Sequence, residues 1–183
     1  MIKIVKYRKI IAFFLVVVSI LLGILTFCKL KNGNIEFIKN NFTKINYFNY
    51  KIIIFHFIIL TISFFLSFIG IGLFILLFYL LYELFTIGFM FSYFAYFYKT
   101  KGILFNFTYF LIYKFILLFL LVILILKYYK LFKNFFKYIR KENVDITKTV
   151  VNSQLINIFI LFHDIILILF GKYLLNLFTF LLK

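Results

Sequence analysis

Apolar residues run along this chain in long blocks separated by short polar intervals, and the lengths of those blocks define its elements. Lys3, Lys6, Arg8 and Lys9 precede an uncharged run from Ile10 to Phe27, and a polar, Asn-rich interval follows from Lys29 to Lys51. Ile52 to Tyr98 then continues for 47 residues with Glu83 as its only full charge. As one helix that stretch would be about 70 Å long, more than twice the ~30 Å hydrocarbon core of a bilayer. It is therefore read as two spans. Glycine is the one strong helix breaker it contains, which puts the reversal near Gly70-Ile71-Gly72. Lys99-Thr100-Lys101-Gly102 makes the next turn, Ile103 to Leu126 a fourth span interrupted by Lys114, and Leu155 to Gly171 a fifth, followed by Lys172 and a short apolar tail. The pattern predicts an all-α, polytopic transmembrane helical bundle. Its spans fall at about 10–28, 52–70, 73–98, 103–126 and 155–171, in a single integral membrane domain covering 1–183.

Composition supports this class. The chain is 66% apolar with a mean hydropathy of +1.14, and only 14% of it is charged, against about a quarter in an ordinary soluble domain. The basic-then-apolar start has the order of a signal peptide, but its apolar run exceeds a signal core and no small-x-small site follows, so it reads as an anchor. Phe (31) and Tyr (14) are abundant while Pro and Trp are absent. AT-rich codons account for that bias more simply than aromatic cages do. Cys28, the only cysteine, excludes an intramolecular disulfide and a cysteine-rich metal site.

The net charge of +16 would suggest nucleic acid in a soluble protein. Between spans, Lys and Arg instead report orientation and contact with anionic headgroups, and no nucleic-acid partner is expected. The most basic segment, 127–148, carries Lys127, Lys130, Lys133, Lys137, Arg140, Lys141 and Lys148 against Glu142 and Asp145. Leu131, Phe132, Phe135, Phe136 and Ile139 recur there at helical spacing, which predicts an amphipathic extension lying along the anionic headgroups of the bilayer. This segment and the N-terminus are placed in the cytoplasm, the 29–51 loop and the C-terminus outside. Five lysines in that outer loop run against the assignment.

Charges at mid-membrane depth are costly and need partners. Glu83 lies 16 residues before Lys99 and Lys114 lies 13 after Lys101, so both sit about 20 Å from the same turn in antiparallel helices. They are expected to pair. His163 and Asp164 are adjacent, hence about 100° apart on a helix, and do not converge on one ligand. A polar contact between helices is the expectation for them, with His56 as the only other histidine and no metal site. Ser63, Ser67 and Gly70, then Gly88, Ser92 and Ala95, and also Ser19 and Gly23, recur at helical spacing as small-residue packing stripes, and Gly72 belongs to the first turn. No nucleotide-binding glycine loop, serine nucleophile set or catalytic carboxylate pair appears, so neither an enzyme nor a cofactor is expected.

From Tyr50 to Lys141 the chain resembles the stage II sporulation protein M family, five-span membrane proteins of endospore-forming bacteria and their relatives. The resemblance rests on Ile71-Gly72-Leu73, the apolar run to Ile87-Gly88-Phe89, Gly102 opening the next span, and the basic exit at Lys127 to Lys141. Two family prolines are missing: Phe74 stands after Gly-Leu, and Leu111-Ile112-Tyr113-Lys114 replaces a proline-containing element. The resemblance implies a non-enzymatic role in engulfment during sporulation, anchoring the peptidoglycan-degrading proteins D and P of stage II. In that reading the 29–51 loop faces the wall-side partners. The alternative is a small transporter or permease subunit in which Glu83, Lys114 and Asp164 line a path.

Overall fold

The computed structural model describes residues 2–30 and 50–178. Most of the 29–51 loop and the last residues of the tail lie outside the described residues. The chain is all-α, with α1 Ile2–Cys28, α2 Tyr50–Ser67, α3 Ile71–Phe105, α4 Leu111–Ile139 and α5 Ile146–Phe178, and a π-helical turn, Asn106–Phe110, joins α3 to α4. Among the described residues, five helices are long and apolar enough to cross a membrane. Large side chains such as Phe13, Phe65, Phe78 and Phe115 are exposed on them, as lipid-facing residues are. This is a multi-pass membrane protein.

Both reversals fall where the sequence is permissive. Gly70 takes φ +85°, a left-handed conformation open to glycine, between the end of α2 and the start of α3. The second lies inside α3, at Lys99, where φ 52° and ψ −131° break the helix. Phe91 and Phe107 are 16 residues apart, about 24 Å along a straight helix, yet their ring centroids are 5.9 Å apart. The chain therefore folds back at Lys99. A Cβ on Gly102 would overlap the Phe94 carbonyl oxygen, so the two arms touch backbone to backbone.

The described residues divide into two compact units, one comprising 2–30, 81–114 and 176–178 and the other 50–80 and 115–175. In the first, α1 crosses α3 at two glycines: a Cβ on Gly23 would strike the Phe85 backbone, and one on Gly88 the Ile20 backbone. Phe27 packs edge-on against Phe89, Tyr93 and Tyr96 beside that crossing. In the second unit, Gly72 lies against the backbone of Ser63 and Ser67, both fully buried. Leu60, Leu76, Tyr79, Leu117, Leu121, Leu124, Tyr128 and Ile160 form its core.

The basic segment departs from the sequence reading. It continues α4 without a break to Ile139, where Phe135 packs on Phe68 and Phe132 on Gly70. It therefore continues α4 as part of the second unit. Two capping devices then end one helix and start the next. Lys141 adopts φ 60° while Glu142 N–H bonds Lys137 C=O and Lys141 N–H bonds Tyr138 C=O, a Schellman stop with lysine in glycine's usual place. Asp145 Oδ1 accepts the Lys148 N–H at 2.9 Å and caps α5. The last helix consequently starts at Ile146, where the sequence suggested Leu155.

Candidate functional site

The first buried polar contact, in the unit containing residues 81–114, joins Glu83 on α3 to Lys114 on α4. The Lys114 Nζ donates to Glu83 Oε2, with the two side chains 12% and 5% exposed. The hairpin at Lys99 brings them together, and the π-helical turn between them adds its extra residue to the arm that carries Lys114. Lys114 also lies 5.4 Å from the centre of the Tyr113 ring. Asn106, in the π-helical turn, is buried, and its amide nitrogen finds no hydrogen-bond partner among the described residues.

The second contact, in the other unit, was not foreseen as an arrangement. His56 on α2 places Nδ1 2.5 Å from Asp164 Oδ2 on α5, and its Nε2 meets the Tyr79 hydroxyl on α3. His56 and Asp164 are 4% and 2% exposed, and Tyr79 is buried with them. Because a carboxylate only accepts, the imidazole Nδ1–H donates to Asp164, and the Tyr79 hydroxyl fixes the opposite edge of the ring. The remaining carboxylate oxygen, Asp164 Oδ1, accepts no hydrogen bond among the described residues and lies 3.6 Å from His163 Nδ1. His163 and Asp164 thus approach one another, although their helix positions diverge.

Asp164 ends a polar line on α5. Thr149, Ser153, Asn157 and Asp164 are all buried and follow one another on a single helical face that spans about 22 Å, interrupted by Ile160. Each meets a complement within the same unit. Asn134 Nδ2 donates to Thr149 Oγ1 at 2.9 Å, and the Ser153 hydroxyl donates back to the Thr149 carbonyl at 3.0 Å. Asn157 and Tyr128 bond each other at 2.9 and 3.1 Å.

The small-residue positions act through the backbone. Gly72 and Gly88 occupy the close approaches described above, Gly70 supplies the turn, and Ser92 returns its hydroxyl to the Gly88 carbonyl at 3.2 Å.

The fold and these buried contacts define a polytopic α-helical membrane protein with buried polar contacts in each of its two units. No family model matches the chain, and searches of curated proteins and of solved structures likewise find no match.

Proposed function

We propose that the protein is a non-enzymatic scaffold of the cell membrane that anchors and localises peptidoglycan-degrading partners during endospore engulfment, as its resemblance to the stage II sporulation protein M family implies. The supporting observation is that Gly72, Gly88 and Gly102, on which the resemblance rests, all lie where a Cβ would collide with neighbouring backbone. A shared glycine pattern of that kind is a pattern of close helix packing, the property a rigid platform needs. The intramembrane acids Glu83 and Asp164 are both held in contacts with basic side chains, which suits a platform better than a solute path.

In this reading the N-terminus and the loop between α4 and α5 face the cytoplasm, the C-terminus lies outside, and the proteins D and P of stage II are the partners. Lys127, Lys130, Lys133, Lys137 and Arg140 lie within about 140° of one another around α4 and meet anionic headgroups at the inner surface. The polar line on α5 is the observation that favours the alternative, a transporter or permease subunit.

Deletion in the source organism followed by microscopy of sporulation separates the two. A block at engulfment is expected, and normal engulfment overturns the scaffold reading. Orientation is tested by labelling Thr100→Cys and Asn143→Cys in a Cys28→Ser background. Thr100→Cys reacts from outside and Asn143→Cys does not; equal reactivity at both overturns the topology.

A further inference from the structure

We propose that His56, Asp164 and His163 form a proton-binding site, positioned by Tyr79. Charge arithmetic gives the occupancy. With both imidazoles neutral and Asp164 ionised, the cluster carries one uncompensated negative charge at membrane depth, the costliest state for a buried group. One proton makes it neutral. The contact of His56 Nδ1 with Asp164 Oδ2 holds that proton as an imidazolium–carboxylate pair, in which Nε2–H donates to the Tyr79 hydroxyl oxygen.

The groups facing the site within the unit are His56 from α2, Tyr79 from α3, and Asp164 and His163 from α5. From α4 come Leu117, Leu121 and Leu124; of the charged and titratable residues nearby in sequence, Tyr128 is bonded to Asn157, and Lys114, three residues before Leu117, is bonded to Glu83, which follows Tyr79 by four residues on α3. The basic groups in contact with Asp164 are the two imidazoles. His163 is 12% exposed and lies 3.6 Å from the carboxylate oxygen that accepts no hydrogen bond among the described residues.

Toward the basic loop, Leu60 follows His56, Leu76 precedes Tyr79, and Ile160 precedes Asp164, each at most 2% exposed. All three belong to the apolar core that also holds Leu117, Leu121 and Leu124, and that apolar surrounding makes a net charge on the cluster costly.

The chain holds only two histidines, so nitrogen NMR of the full-length protein in lipid bilayers, labelled at histidine, resolves this directly. His163→Gln assigns the signals. His56 is expected as an imidazolium at neutral pH in the wild type and as a neutral imidazole in Asp164→Asn. A neutral His56 in the wild type overturns the proposal, as does an imidazolium that persists in Asp164→Asn. The wild-type spectrum decides alone if that variant does not assemble.

Discussion

The Glu83–Lys114 pair and the His56–Asp164–Tyr79 cluster are both buried and polar, but they differ in how fully their chemistry is used. Lys114 and Glu83 are one full cation and one full anion across a single hairpin, and their charges cancel with no proton to spare. The second cluster has one full anion, two imidazoles and a carboxylate oxygen that accepts no hydrogen bond among the described residues, gathered from α2 and α5 with Tyr79 of α3 beside them. A closed pair fixes register. A cluster with spare capacity also has a second state, and its neutrality depends on a proton.

The largest effect that separates them should come from Lys114→Leu. It leaves Glu83 buried without its cation and should cost about 3–5 kcal/mol in reversible unfolding in detergent. Glu83→Leu added to it should restore most of that loss; a double variant no better than the single one would break the idea of a closed pair. Gly88→Val is next, because its side chain meets the Ile20 backbone and not a movable group, with an expected loss of about 1–3 kcal/mol or more. Tyr79→Phe removes one hydrogen bond from the open cluster while leaving Asp164 and His56 in contact. It should cost about 1 kcal/mol in the same assay, and a loss as large as that of Lys114→Leu would show the two sites to be alike. Asp145→Ala removes the cap of α5 and should cost about 1 kcal/mol without changing the His56 signal. The smallest effect runs the other way: Lys141→Gly relieves a left-handed lysine and should raise stability by up to about 1 kcal/mol.

The closed pair was legible in the sequence because it depends on local bookkeeping: two charges equally distant from one turn must sit at one depth. The reversal at Gly70 was legible for the same reason, since 47 apolar residues cannot be one span and glycine marks the break. The open cluster was not. Its contact joins residues 108 positions apart, and no local rule brings α2 against α5. Tyr79 was hidden among 14 tyrosines in a chain whose composition makes aromatic residues unremarkable as signals. A usable clue was present in Thr149, Ser153, Asn157 and Asp164, which share one face. It went unread because the basic charges before Leu155 concealed the true start of the helix at Ile146. The cap that sets this start, Asp145 three residues before Lys148, is itself a sequence signal for a helix N-terminus. The straight continuation of α4 depended on packing of Phe132 and Phe135 against the α2–α3 turn, which periodicity does not report.

The Lys99 hairpin also sets an order in time. Glu83 precedes its partner by 31 residues, which at about 5–20 residues per second is a delay of roughly 1.5–6 s during synthesis. For that interval the nascent chain carries a membrane-embedded acid with no cation to meet it, so α3 has reason to wait in the insertion machinery until Lys114 arrives. Asp164 faces no such delay. When it is made, His56 and Tyr79 have long been in place, and the second cluster can close as soon as its last helix enters the bilayer.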